Sequence, residues 1–269
     1  MEVKLMRIID PHLHTDRMKG KDLETLSVAG MEAAVLPTPH LLPWMVTADT
    51  LFRMWDNFLD FQIKHPKSLG IDMKVTLGVP FYGMAHEAVD TCLKRMPEYL
   101  KHEAVAGLGE IGLDAGIESE VALFRAHLNL AKDHDLPIIV HTPTPYEPQA
   151  ETVLAQIIDL IREENFPIKR AVLDHTGLNT LQARLDSGAM VGLSICYDKL
   201  NPDEAAKVVK DNPNYRDQLF LNSEFGWAGE GHFSVPRAVL GMRRMGLKRN
   251  EIEQVTWENP KRFFKLNID

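Results

Sequence analysis

Eight short apolar runs punctuate the chain, at 7–12, 33–37, 74–80, 105–111, 136–141, 170–174, 190–195 and 219–223. Near-continuous hydrophobic runs of this length are the pattern of parallel strands buried on both faces. Between them, apolar residues recur at three- and four-residue spacing. Leu51, Trp55, Phe58, Leu59 and Ile63 mark one such stripe in 49–64, and Val121, Phe124, Leu128 and Ala131 another in 118–134. Similar stripes run through 85–102, 150–164, 202–210 and 234–245, with a shorter one in 179–187. This alternation of strand and helix predicts an α/β fold, a single (β/α)8 TIM barrel over residues 1–269. A doubly wound open sheet shares the alternation, but it gathers its chemistry at one switch point served by few strands. Near the C-terminus, Trp-Glu-Asn-Pro-Lys-Arg-Phe-Phe predicts a helix start, with Asn259 as cap and Pro260 in the first helical position.

The polar residues that end these runs favour the closed barrel. His12 and His14 end the first run, Glu110 lies at the end of the fourth, His141 ends the fifth and His175 follows the sixth. In a barrel all C-terminal strand ends meet on one face, where catalytic residues lie. His12 and His14 are two apart on a strand, so both side chains point to one side and can reach one divalent metal. That pair alone is weak evidence, because 11 histidines in 269 residues produce such spacings by chance. Glu110 sits among apolar residues and glycines with no Lys or Arg in its strand. A carboxylate buried there is costly unless a metal or a charged partner neutralises it. Core histidines and a salt-bridged glutamate are the competing reading. The coincidence of position at four strand ends decides for a metal site. The eighth run leads into Asn222-Ser223-Glu224-Phe225-Gly226-Trp227, which makes Glu224 a candidate ligand and the candidate base for an attacking water.

Composition narrows the class. Hydrophobic residues make up 45% and charged residues 25%, an ordinary globular balance, and no linker-like stretch divides the chain. No run is long enough to span a bilayer, and no apolar segment of signal-peptide type follows the N-terminus, so no membrane partner is expected. Cys92 and Cys196 do not make a disulfide framework, which points to a cytoplasmic location. The net charge of −8 counts against nucleic acid as main partner, since phosphate backbones are gripped by basic surfaces.

The segments Asp10-Pro-His12-Leu-His14, Gly109-Glu110-Ile-Gly-Leu-Asp114, Val140-His141, Asp174-His175-Thr-Gly177 and Asn259-Pro-Lys-Arg-Phe-Phe resemble those of the TatD-like metal-dependent hydrolases, within the wider amidohydrolase group of barrels. They run from end to end of the chain in the family's order. The resemblance implies one or two divalent ions. One would be held by His12, His14, Glu110 and the strand-8 acid, the other by Glu110, His141 and His175, with Glu110 bridging. Imidazole ligands make zinc the first choice, with manganese, nickel or magnesium as alternatives. Where the family has Glu-Thr-Asp on strand 8, this chain has Asn222-Ser223-Glu224, whose acid is one methylene longer. The family often places an aromatic just after Gly-Leu-Asp; here Ala115-Gly116 follows.

The loops past the strand ends carry Pro39, Leu41, Leu42, Pro43, Trp44 and Met45, then Phe81 and Tyr82, then Phe225 and Trp227. Such a rim suits a small, partly apolar substrate, with His40 and Trp227 as candidate contacts. The expected reaction is metal-assisted hydrolysis of an ester, phosphoester, lactone or amide. DNA phosphodiester hydrolysis, known in the family, is the alternative, and a non-catalytic metal-binding accessory protein a further one. Arg17, Lys19 and Lys21 either meet a phosphate or are simply solvated. His232 is a weaker candidate for the mouth, and Cys196 reads as a small buried residue. Asp10 is expected to orient ligands from one layer deeper, and Asp114 to stabilise the following loop. The sequence leaves the oligomeric state open.

Overall fold

The computed structural model describes residues 6–40, 45–80, 82–226 and 231–268. Its strands are β1 (Ile8–Asp10), β2 (Met31–Pro37), β3 (Asp72–Leu77), β4 (Val105–Gly112), β5 (Ile138–His141), β6 (Ala171–Leu173), β7 (Met190–Ser194) and β8 (Leu219–Asn222). They form one parallel sheet in sequence order. Just past the strand ends, Glu224 N–H donates to His12 O at 3.0 Å and His14 N–H to Phe225 O at 2.9 Å. These bonds join the last strand to the first, and the sheet becomes a (β/α)8 barrel.

The helices are α1 (Gly20–Val28), α2 (Ala48–Leu59), α3 (Phe61–Ser68), α4 (His86–Tyr99), α5 (Glu118–Asp133), α6 (Ala150–Glu163), α7 (Leu181–Ser187), α8 (Pro202–Asp211), α9 (Ser234–Arg244), α10 (Arg249–Glu253) and α11 (Asn259–Phe263). The expected helix 49–64 is two helices broken at Asp60. Trp55 and Phe58 pin α2 to the core; beyond the break Phe61 is exposed, while Gln62 and Pro66 turn inward. Helix α1 escaped the sequence pattern because its buried stripe is only Leu23 and Leu26.

Asn259 is not a helix cap. The chain runs helically from α10 through the wide π-type turns of Gln254–Glu258 into α11, and Asn259 has helical dihedrals, φ −65 and ψ −52. Its Nδ2 donates instead to the carbonyls of Leu219, at 2.6 Å, and Arg216, at 2.8 Å, tying the helix to the start of β8. The segment then seals the barrel floor. Trp257 and Phe264 are buried with Ile9, Val35, Ile139, Val172 and Phe220, a cluster built from strands and this tail alone. Larger apolar clusters fill the space between strands and surrounding helices. The interior is thus packed from below, and the polar residues collect at the opposite end.

Candidate active site

At the end of β1, His12 Nδ1 lies 2.8 Å from Asp174 Oδ2. The other oxygen of Asp174 accepts from Asn222 Nδ2 at 2.8 Å. A side chain at Gly192 would overlap that oxygen, so only glycine on β7 leaves Asp174 room. His12 donates its Nδ1–H outward to this carboxylate, and this turns its Nε2 inward. Nε2 meets Glu110 Oε1 at 3.0 Å and His14 Nε2 at 3.1 Å.

Glu110 presents two faces. Oε1 is also 3.6 Å from His14 Nε2, while Oε2 is 2.9 Å from His40 Nδ1 and 3.4 Å from His141 Nδ1. The far nitrogen of His141 lies 3.4 Å from Asp114 Oδ1, and Tyr82 OH donates to Asp114 Oδ2 at 2.8 Å. Asp114 therefore serves the histidine. The loop expected to depend on it is held by Glu120, which accepts from the N–H groups of Asp114, Ala115 and Gly116.

His175 and Glu224 both adopt left-handed backbone conformations, with φ 64 and 48. Such conformations cost about 1–3 kcal/mol each away from glycine and persist where the surroundings enforce them. Here His175 N–H donates to Ser194 Oγ, and Glu224 N–H to the His12 carbonyl. His175 Nδ1 donates to Thr142 O at 2.8 Å, so Nε2 faces Glu224 Oε1 at 2.6 Å. Glu224 Oε2 accepts from Lys199 Nζ at 2.8 Å.

Burial would raise the pKa of both glutamates. Around Glu110, the His12 charge and bonds from His12, His141 and His40 outweigh burial and hold the carboxyl well below its usual range. His175 and Lys199 do the same for Glu224. Burial also works against a charged His12, yet Glu110 and Asp174 push its pKa well up. Burial and the neighbouring His12 push His14 down to about 3.

Among the described residues, three groups hold ligand-type atoms that lie within 4.8 Å of one another: His12–His14–Glu110, His12–His175–Glu224 and His40–Glu110–His141. His12 and His175 each turn Nδ1 to a fixed acceptor, so each points Nε2 at a carboxylate oxygen. A buried imidazole nitrogen and a carboxylate oxygen this close require a proton or a cation between them. A buried nitrogen-and-oxygen donor set of this kind fits a divalent metal. Above it opens a cavity of about 430 Å³, whose walls add Tyr82, Asp114, Thr144, Glu147, Tyr197 and Asp198.

The sequence model of the family described as TatD related DNase matches residues 9–265. The chain belongs to the TatD family. A curated relative from Methanocaldococcus jannaschii, described as an uncharacterized metal-dependent hydrolase, is 30% identical over 260 residues, 96% of this chain and 100% of the relative. Among solved structures, the TatD-like protein of Archaeoglobus fulgidus superposes with a TM-score of 0.72 at 24% identity, covering 96% of this chain and 100% of that one. The phosphotriesterase homology protein of Escherichia coli, complexed with phosphate in its active site, gives 0.68 at 15% identity, covering 98% and 100%. These two likenesses show the shared barrel fold. The family and the curated relative make this a metal-dependent hydrolase.

In this TatD-family barrel, His12, His14, Glu110, His141, His175 and Glu224 all converge at one end. His40 joins them, with its ring on Glu110. Trp227, Phe81 and the segment 41–44 lie outside the described residues. Asp10 touches no imidazole. Its Oδ1 accepts from the backbone N–H groups of His12, at 3.1 Å, and Ser223, at 3.2 Å, and burial lifts its pKa to about 6. The residue that orients His12 is Asp174, which in the sequence merely interrupted an apolar run. His232 pairs with Asp22 at 2.9 Å, and neither it nor Arg17, Lys19 or Lys21 lines the cavity. Cys196 is buried, and burial pushes its thiol pKa up, away from nucleophilic use. Lys199 was missed. Its signal was the buried Glu224 itself, which needs a counter-charge that β8 does not contain.

Proposed function

We propose that the chain hydrolyses a small ester, phosphoester, lactone or amide at a divalent-metal centre set among His12, His14, Glu110, His141, His175 and Glu224. The observation that carries this reading is the pair of inward Nε2 atoms, on His12 and His175, facing Glu110 at 3.0 Å and Glu224 at 2.6 Å at the base of the cavity. Zinc suits the imidazoles best, with manganese, nickel and magnesium as alternatives. When bound, such an ion would supply an activated water and a Lewis-acid contact to the bond under attack. The protein's own part is to fix donors and move a proton. Asp174 and Thr142 O hold the two imidazoles in one tautomer. Glu224, with Oε2 anchored on Lys199, offers Oε1 as the proton-accepting atom.

The substrate side favours a small molecule. Among the described residues, Lys199 is the only Lys or Arg lining the cavity, and it is committed to Glu224. The segments 41–44 and 227–230 contain neither residue type, and the net charge is −8. Grip on a DNA backbone depends on such side chains. No helix among the described residues is long and apolar enough to cross a membrane, and both cysteines are free and buried, which supports a reducing, cytoplasmic setting.

The test is a side-by-side assay of metal-replete protein on ester, lactone, phosphoester and amide panels and on single-stranded DNA at physiological salt. Turnover on a small substrate that vanishes with chelation supports the reading. Efficient DNA degradation that is lost in His175→Ala makes the nuclease the right assignment instead.

A further inference from the structure

We propose that His40 is a metal ligand, and that His40, His141 and Glu110 Oε2 form a second cation position beside the one at Glu110 Oε1. The proposal rests on the metal-centre reading above. It adds a donor from the loop after β2 and changes how the histidines are shared.

Glu110 is placed between two histidine pairs. One oxygen is 3.0 and 3.6 Å from the Nε2 atoms of His12 and His14; the other is 2.9 and 3.4 Å from the Nδ1 atoms of His40 and His141. A carboxylate whose two oxygens each face two imidazoles is arranged to bridge two cations. The His40 and His141 rings lie against one another with centroids 3.4 Å apart and planes tilted by 33°, and both Nδ1 atoms reach the same oxygen. The outer nitrogen of His141 faces Asp114, which Tyr82 holds in turn. A carboxylate behind an imidazole is the usual means of orienting a ligating histidine. His175, by contrast, directs Nε2 to Glu224 Oε1 at 2.6 Å and groups with His12. Together with Glu110 Oε2, His141 therefore finds its third donor in His40.

The experiment titrates full-length, chelator-stripped protein with Zn(II), and in parallel with Co(II), without substrate. Elemental analysis gives stoichiometry, calorimetry gives affinity, and the Co(II) visible spectrum reports the ligands of each equivalent. Wild type is expected to take two equivalents. His40→Ala and His40→Gln should keep one and bind the other at least about 100-fold more weakly, since losing a ligand exceeds the roughly 10- to 100-fold cost of losing an outer partner. His40→Gln retains a polar contact to Glu110 and so guards against simple loss of structure. Two equivalents bound to both variants with wild-type affinity overturn the proposal, even if KM rises. A single equivalent in wild type and variants alike also overturns it, while leaving the metal centre intact. No binding by wild type removes the metal-centre reading itself.

Discussion

The site depends on single residues that hold others in place. Glu110→Gln keeps the side chain's shape but removes its charge; most turnover should disappear and bound metal should fall, with the circular dichroism of the barrel unchanged. Full metal content and turnover in that variant would reduce Glu110 to a structural role. Asp174→Asn offers His12 Nδ1 an amide in place of a carboxylate. Metal affinity should fall about 10- to 100-fold, read by competition with a chromogenic chelator. Lys199→Met leaves Glu224 buried and short of its partner, both side chains being under 5% exposed at 4% and 3%. Breaking such a pair costs about 3–5 kcal/mol. Urea unfolding should show it, and Lys199→Met with Glu224→Gln should recover much of the loss. The candidate ligands were legible in the sequence because each lies at a strand end. Asp174 and Lys199 were not, because their roles exist only through contacts made across the barrel, 162 and 25 positions along the chain.

Among the elements, the strands were legible and the helices less so. A strand buried on both faces declares itself by composition alone, and all eight runs became strands. Helix α1 buries too narrow a stripe to be seen. The tail misled because Asn-Pro is a common helix opening, whereas Asn259 serves the carbonyls before β8. Helix α5 carries a device that periodicity cannot show. His127 is buried, its Nε2 accepts from Val79 N–H at 3.0 Å, and burial pushes its pKa from 6.5 down to about 3. Between those values the unfolded chain takes up a proton that the native ring refuses, so stability falls as pH falls through that window. The slope from this one group reaches about 1.4 kcal/mol per pH unit. His127→Gln retains an acceptor that does not titrate. Its urea midpoint should vary less between pH 6 and pH 4 than that of wild type, and an equal slope would show that His127 is not responsible.

For the molecule as a whole, the barrel is packed at its floor and polar at its mouth, so stability and chemistry occupy opposite ends. Phe220→Ala at the floor should cost about 3–5 kcal/mol while leaving metal stoichiometry unchanged, measured by unfolding and elemental analysis on the same preparation. Chelation should act from the other end. A cation bound at 100 times its Kd adds about 2.7 kcal/mol to the native state, so stripping it should lower Tm with no mutation at all. The closure of the sheet has an effect of a different kind, on timing during synthesis. The bonds from β8 to β1 pass through the site, and Ser223 N–H reaches Asp10 across 213 positions. At roughly 5–20 residues per second, the first histidines leave the ribosome on the order of 10–40 s before Glu224. A nascent or truncated chain thus holds His12 and His14 without Glu224 and with the barrel unclasped, and full donor sets belong only to chains whose last strand has docked.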